Sequence, residues 1–324
     1  MLTNTKRELL VKIASLYYKE NKSQDEIASV VGLSRSQVSR LLSKAIEEGV
    51  VSIQIQDSEV EAYEIEKSMR ELFGLTDCAI VDDAGSDLEE FYERVGQTSG
   101  EVLRRFIRDD DIVGVSSGKT LFHATDHIPN INRRGVTLVP VVGSIGPKNS
   151  RWQAMASVTN LSNKWNASSY LLSVPSAVSS KEIRDIILAE PEIRDVVKMA
   201  KKANVVLVGM GHVKDKTATL FETGFLTEEN LLELEEKNAV VSCCGSIVNA
   251  EGKNVGFSGD DRTLAIKLDD FSDKTIIIAV AYGKEKIDAI LGALATNRIN
   301  VLITDKSTAK ELVRRKKLQL QYAS

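Results

Sequence analysis

The stretch SQDEIASVVGLSRSQVSRLLSKAIEEG (residues 23–49) decides the architecture at the front of this chain. Ser23 is followed three residues later by Glu26, and Ser34 is followed by Gln37. Each pair is a capping box, which predicts the start of a helix. Between the two boxes, Gly32 supplies the positive φ that ends a helix at least cost. The spacing predicts one helix that ends near residue 31 and a second over about 35–48, joined by a turn of about three residues.

The later of these helices has the composition of a helix that reads DNA. Apolar residues recur at helical spacing from Leu9 to Tyr17, which predicts a further helix over about 4–20. A helix-turn-helix places its later helix in the major groove, where Arg pairs with guanine and Gln with adenine. The alternative is a three-helix bundle with a polar outer face. The residues that we expect to contact DNA are Ser34, Arg35, Ser36, Gln37, Ser39, Arg40 and Lys44.

Two segments follow the three helices. VVSIQIQ (residues 50–56) alternates with period two, as a short wing strand does. Residues 58–75 combine apolar and charged residues at helical spacing and predict a linker helix, which either pairs with its twin in a dimer or packs on its own domain. The predicted domains are a winged helix-turn-helix over 1–57, the linker helix over 58–75 and an effector and oligomerisation domain over 76–324.

Charge and cysteine content restrict the class of protein. The 324 residues carry a net charge of −4, which argues against a protein that binds polyanions with its whole surface. Residues 1–50 nevertheless carry a net charge of +2, which leaves −6 for the remainder. Cys78, Cys243 and Cys244 form neither a disulfide framework nor a metal motif, so we expect no bound metal. No signal peptide or long apolar run is present, and we expect a cytoplasmic protein that does not span a membrane.

From residue 76 onward the pattern is that of an α/β fold. Apolar, β-rich runs (CAIV, DIVGVS, VTLVPVV, SYLLSV, NVVLVGM, TIIIAVA and NVLITD) alternate with helical segments. This alternation predicts a mostly parallel sheet covered by helices on both faces. Because ligands of such sheets bind beyond the carboxyl ends of the strands, the loops that follow the strands are the candidate site.

One of these loops has the chemistry of an anion site. Residues 116–120 (SSGKT) follow a predicted strand and open a predicted helix, so backbone N–H groups, hydroxyls and a lysine come together. A P-loop needs four residues between its glycines, and Gly114 and Gly118 enclose three, so the NTPase motif fails by one residue. A phosphate-binding loop and a plain strand-to-helix turn both remain open. Other strand ends carry Gly143, Gly283, Lys286 and Asp305.

The order and spacing of six stretches resemble those of a known family. They are LYYKENKSQDEIASVVGLSRSQVSRLLSKAIEEGVVSIQI, DIVGVSSGKTL, VTLVPVVGSIG, ANVVLVGMG, IAVAYGKEKIDAILGAL and INVLITDKSTAKEL. Over essentially its full length, the chain resembles the SorC/DeoR-type family of bacterial sugar-responsive transcriptional regulators, which includes repressors. The resemblance implies a winged helix-turn-helix joined to a domain related in fold to sugar-phosphate isomerases and deaminases. It also implies assembly as a homodimer or homotetramer, and control of operator affinity by a phosphorylated sugar.

The resemblance also assigns positions in the effector domain. The phosphate loop of the family falls on Gly118, Lys119 and Thr120, its pocket Gln on Gln153 and its strand-end Lys on Lys286. Three departures stand out: Val142 where some relatives carry Arg or Lys, Ser242 where an acidic residue is usual, and Met155 where Asn is common. The residues that we expect to contact the effector are Ser116, Gly118, Lys119, Thr120, Gly143, Gln153, Lys286 and Asp305.

Three classes of function follow from these patterns. The first is a regulator with two partners, double-stranded operator DNA and a small sugar phosphate, and with no catalytic residue and no cofactor. The second is an isomerase-like enzyme fused to a DNA-binding module, for which His123, His127 and His212 are the candidate bases. His123 and His127 are more simply explained as residues of a helix surface. The third is a DNA-binding protein that senses nothing. We predict the first.

Overall fold

The computed structural model describes residues 4–52, 58–83, 85, 87–145, 150–214, 216–217 and 219–323. It divides into two compact units, Met1–Val60 and Glu61–Ser324. Among the described residues, no helix combines the length and the apolar character that crossing a membrane requires.

The first unit contains the three predicted helices, α1 (Asn4–Tyr18), α2 (Gln24–Val31) and α3 (Arg35–Glu47). Both predicted capping boxes are formed, and Gly32 ends α2 with a φ of 71°. Apolar side chains from all three helices, including Ile13, Ile27 and Val38, form one core. This confirms the predicted helices. Most of the predicted wing strand, residues 53–56, lies outside the described residues, and Val50, Val51 and Ser52 form no strand.

Helix α4 (Ser58–Phe73) occupies the segment that was predicted as a linker. Met69 is fully buried in the core of the second unit, and Ile65 and Phe73 pack against the same core. Glu61 forms ion pairs with Lys306 and Lys310 of that unit. The helix therefore packs on its own domain, which was one of the two alternatives.

The second unit is built on a seven-stranded parallel sheet. The strands of the described chain are β1 (Asp77–Val81), β2 (Ile112–Val115), β3 (Thr137–Pro140), β4 (Ser168–Ser169), β5 (Val205–Gly209), β6 (Gly211–His212), β7 (Ala239–Cys243), β8 (Ser246–Asn249), β9 (Ile276–Val280) and β10 (Val301–Asp305). The strand order of the parallel sheet is β1-β10-β9-β5-β2-β3-β4, and every neighbouring pair in it is parallel.

Helices cover both faces of this sheet, as predicted for a parallel sheet with buried strands. The helices of the second unit that follow α4 are α5 (Leu88–Phe106), α6 (Lys119–His127), α7 (Ala154–Trp165), α8 (Lys181–Ala189), α9 (Pro191–Lys201), α10 (Thr219–Glu222), α11 (Glu228–Glu236), α12 (Ile287–Ala295) and α13 (Lys306–Ala323). One face of the sheet packs against α5, α6 and α7 and the other against α4, α9, α12 and α13, each around its own apolar cluster.

A small antiparallel sheet is the main feature that the sequence analysis missed. Strands β6, β7 and β8 form it, and β7 and β8 are joined through Cys244 and Gly245, which both have positive φ. An apolar cluster that includes Leu234, Ile247 and Phe257 packs beneath it. Helices α8 and α10 were also missed. The predicted strand SYLLSV is wrong, because only Ser168–Ser169 pairs as β4 and Leu172 is buried in a separate apolar cluster instead.

Candidate functional site

The face of α3 that was predicted to contact DNA points into solvent. All seven predicted residues are exposed, while Val38, Leu42 and Ala45 on the opposite face of the helix are buried. Arg35 is held loosely by Asp25, with 3.8 Å between Nε and a carboxylate oxygen and about seventy per cent of each side chain exposed (70% and 72%). An exposed pair of this kind costs little to break, so its guanidinium is available for a base or a phosphate.

Gln37 has a second task at the start of α3. Its Oε1 accepts hydrogen bonds from the Ser34 N–H at 2.9 Å and from Ser34 Oγ at 3.0 Å, while its own N–H donates to Ser34 Oγ at 3.3 Å. The capping box thus occupies the amide oxygen of Gln37. Reading adenine through both amide atoms requires this cap to open.

The second unit has a cavity where the strand order of its parallel sheet reverses. Strands β2 and β5 are neighbours, but the chain continues from β2 to β3 on one side and from β5 to β9 on the other. The loops after these two strands diverge and leave a crevice, which is where ligands bind in such sheets. A cavity of about 380 Å³ lies there, lined by residues 116–120 after β2 and by residues 209–212 at the end of β5.

The loop after β2 presents the start of α6 to this cavity. Gly118 has a φ of 133°, a conformation that favours glycine, and its N–H donates to the Trp152 carbonyl at 2.8 Å. Among the described residues, no side chain caps the N-terminus of α6. The free N–H groups of that first turn and the hydroxyls of Ser116, Ser117 and Thr120 therefore form a site that favours an anion.

A half-buried lysine reaches this helix start from the other side of the reversal. Lys286 follows β9, and its Nζ donates to Thr120 Oγ1 at 2.6 Å. Burial lowers the pKa of Lys286, the charge of Lys119 lowers it further, and Glu285 opposes both effects. Lys119 also lines the cavity, with its Nζ 5.8 Å from the centre of the Trp152 ring. The structure thus brings together the predicted residues Ser116, Gly118, Lys119, Thr120 and Lys286.

Aromatic residues complete this side of the cavity. Tyr92 of α5 stacks on His123 of α6 with 3.9 Å between ring centres, and both line the cavity together with Tyr282. Burial, followed by the charge of Lys119, lowers the pKa of His123. Burial also raises the pKa of Tyr282. Tyr92 and Tyr282 were missed because only tertiary packing brings α5 and the end of β9 together.

The three other predicted effector residues do not line the cavity. Gln153 exchanges two hydrogen bonds with the backbone of Ile145, at 2.7 and 2.9 Å, and so fixes a residue that does line it. Gly143 donates its N–H to the Leu264 carbonyl at 3.0 Å. The structure gives these two residues a role in shaping the cavity wall, while their contact with an effector stays a prediction.

Asp305 is engaged at the start of α13. Its carboxylate accepts hydrogen bonds from the Gly283 N–H at 2.8 Å, from the Thr308 N–H at 2.7 Å and from Ser307 Oγ at 2.7 Å. Burial acts to raise its pKa, but these hydrogen bonds outweigh burial and leave the pKa below its ordinary value. Asp305 therefore stays ionised and holds the turn that precedes Lys286, away from the cavity surface.

Two of the three departures from the family pattern lie on the cavity wall. Val142 and Ser242 line the cavity, whereas Met155 does not. These two positions contribute an aliphatic side chain and a hydroxyl to the wall.

Comparison with known proteins agrees with both units. The chain matches the family model "Putative sugar-binding domain" over residues 58–314 and the model "Sigma-70, region 4" over residues 11–48. It belongs to the SorC/DeoR-type family of sugar-binding transcriptional regulators. It is 30% identical to the deoxyribonucleoside regulator of Bacillus subtilis (strain 168), over 95% of this chain and 98% of that protein. It is 28% identical to the sorbitol operon regulator of Klebsiella pneumoniae, over 94% of this chain and 98% of that protein.

Solved structures of SorC-type regulators have the same architecture. The full-length sorbitol operon regulator SorC from Klebsiella pneumoniae superimposes with a TM-score of 0.76 and 27% identity, covering 96% of this chain and all of that one (100%). A transcriptional regulator from Streptococcus pneumoniae TIGR4 gives a TM-score of 0.74 at 26% identity, over 81% of this chain. These findings confirm the predicted family and fold class.

Membership of the SorC/DeoR-type family also decides between regulator and enzyme. The relatives are transcriptional regulators, so this chain is a DNA-binding, sugar-binding regulator and not an enzyme. The three histidines that were considered as candidate bases lie in different surroundings. His127 lies 3.3 Å from Glu89, as expected of a helix surface. His123 and His212 line the cavity instead, so the helix-surface interpretation is wrong for His123.

Proposed function

We propose that the cavity of the second unit binds a phosphorylated sugar and that this binding changes the affinity of α3 for operator DNA. One observation carries the proposal: the uncapped start of α6, the hydroxyl of Thr120 and the two lysines Lys119 and Lys286 converge on one cavity. Each of these groups favours a phosphate, and the helix terminus and the cations add to one another.

The proposed mechanism is a linkage between two sites. The effector stabilises one quaternary arrangement of a homodimer or homotetramer, and DNA stabilises either the same arrangement or another. Coupling is reciprocal. If the effector changes the affinity for operator DNA by some factor, commonly about 5–150-fold, bound DNA changes the affinity for the effector by the same factor. The proposal needs no cofactor, and it places the regulator in the cytoplasm with its operator.

Ligand binding is tested first. The full chain is screened by thermal shift against sugar phosphates, the same sugars without phosphate, and inorganic phosphate. The proposal expects stabilisation by phosphorylated members alone, and indifference to all of them would overturn it. Lys286→Met should abolish the stabilisation. Lys284→Met, which changes an exposed lysine two residues away that does not line the cavity, should retain it.

DNA binding is tested on a duplex selected from a random pool by the wild-type protein. Fluorescence anisotropy should show that a stabilising sugar phosphate changes the affinity for this duplex, and that it does not do so in Lys286→Met. Arg35→Ala should weaken binding to the duplex and leave the thermal shift by the ligand unchanged. Equal loss of both responses in Arg35→Ala would contradict the separation into two sites.

A further inference from the structure

One part of the cavity wall is apolar. The side chains of Leu220, Phe225, Ile247 and Phe257 line the cavity there. All four belong to the apolar cluster beneath the small antiparallel sheet. Ile247 and Phe257 are nearly buried, at 6% and 8% exposure, while Leu220 and Phe225 are half-buried. The edge of this apolar cluster therefore faces the cavity and can contact a bound ligand.

The rest of the wall offers few strong acceptors for sugar hydroxyls. Among the described lining residues, Glu285 is the one side chain with a carboxylate or an amide group, and it adjoins Lys286 at the phosphate end. Apart from Lys119 and Lys286, the other polar side chains of the lining are hydroxyls, the imidazoles of His123 and His212 and the thiol of Cys244. A sugar with a hydroxyl on every carbon would place O–H donors against the apolar wall, where they find no acceptor. Each unpaired donor costs free energy.

We infer that the ligand is a phosphorylated molecule whose far end is apolar, such as a deoxysugar phosphate with a terminal alkyl group. The phosphate lies against α6 and Lys286, the middle of the ligand against the hydroxyls, and the alkyl end against Leu220 and Phe225. This inference rests on the proposed function, because it takes the phosphate end of the same cavity as the anchor.

The test uses probes that carry these two features and no sugar stereochemistry. Binding of inorganic phosphate, n-propyl phosphate, n-pentyl phosphate and 5-hydroxypentyl phosphate to the full chain is measured by calorimetry. We expect affinity to rise about fourfold for each added methylene, and the terminal hydroxyl to weaken binding of the pentyl chain at least about tenfold. Transfer of apolar surface should also give a negative heat-capacity change.

A matched pair of variants locates the apolar end. Leu220→Asn should reduce or reverse the preference for pentyl over 5-hydroxypentyl phosphate and leave the affinity for inorganic phosphate unchanged. Leu232→Asn makes the same change on α11, where the side chain is 63% exposed and does not line the cavity, so it should retain the preference. The wild-type series needs no variant, so the test survives a failure of Leu220→Asn to fold.

The outcomes separate this inference from the proposed function. If no phosphate compound binds, the anchor is absent and both fail. If inorganic phosphate binds but chain length has no effect, or if the hydroxylated probe binds more tightly, the apolar end is refuted while the phosphate site stands.

Discussion

Replacing Gln37 with Glu separates the stability of α3 from its recognition of DNA. A glutamate at this position keeps an acceptor for the Ser34 N–H, which Gln37 Oε1 binds at 2.9 Å. Because a negative charge is favourable at a helix start, by ~0.3–1 kcal/mol, the helix should be at least as stable as in the wild type. Binding to the selected duplex should nevertheless fall about 5–150-fold, which corresponds to the loss of one amide–base contact. Repulsion from the phosphates adds to that loss.

Gln37→Ala provides the contrast. It removes the DNA contact and also the side-chain half of the capping box. Loss of the capping hydrogen bond costs roughly 0.5–1.5 kcal/mol of helix stability. Amide hydrogen exchange should therefore be about 2–10-fold faster in α3 of the alanine variant and unchanged in the glutamate variant. DNA affinity is measured by fluorescence anisotropy, with Gln97→Glu as the control for charge, because Gln97 is exposed on α5. The reasoning is refuted if Gln37→Glu binds the duplex as tightly as the wild type does.

Three further predictions concern the second unit. Burial lowers the pKa of Lys286, so the folded chain gains stability as the pH rises from that lowered value toward the ordinary lysine value. Near neutral pH and without ligand, the melting temperature of Lys286→Met should therefore be no lower than that of the wild type. Any excess in its melting temperature should shrink in alkaline solution. A lower melting temperature at every pH would contradict this prediction. Glu285→Gln should tighten inorganic phosphate about fivefold in calorimetry at low salt, because a carboxylate beside the site is removed, and weaker binding would count against the assigned anchor. Gly96→Ala places a Cβ 2.3 Å from His127 Cβ and should lower the free energy of unfolding, measured by urea denaturation, by ~1–3 kcal/mol. Gly256→Ala, where an added Cβ has no atom within 4 Å, should leave it nearly unchanged. Equal effects of the two substitutions would refute the predicted clash.

The features predicted best are those that neighbouring residues determine. The helices of the first unit were found to within about two residues, because Ser23, Gly32 and Ser34 mark their ends by local hydrogen bonds and backbone conformation. The strand-to-helix turn at residues 116–120 was predicted correctly for the same reason, since a strand end, a glycine and a helix start fall within five positions, while its binding of an anion stays a prediction.

The features missed are those that distant segments create. The hairpin of β7 and β8 turns at Cys244 and Gly245, and the cysteine with positive φ is not a usual turn signal. SYLLSV was taken for a full strand because it is apolar, but Leu172 is buried by neighbouring helices rather than by sheet pairing. The apolar wall at Leu220 and Phe225 becomes visible only once the small sheet is folded against the larger one.

The hydrogen bond from Lys286 to Thr120 joins loops that lie 166 residues apart in the chain. The ammonium group carries three N–H donors, and the bond to Thr120 uses one of them, so the other donors can bind an incoming molecule. A charged oxygen forms a stronger bond with these donors than the hydroxyl oxygen of a neutral sugar does. On the proposed function, the protein would therefore discriminate by charge before shape, and a large excess of free sugar in the cell would leave it unresponsive.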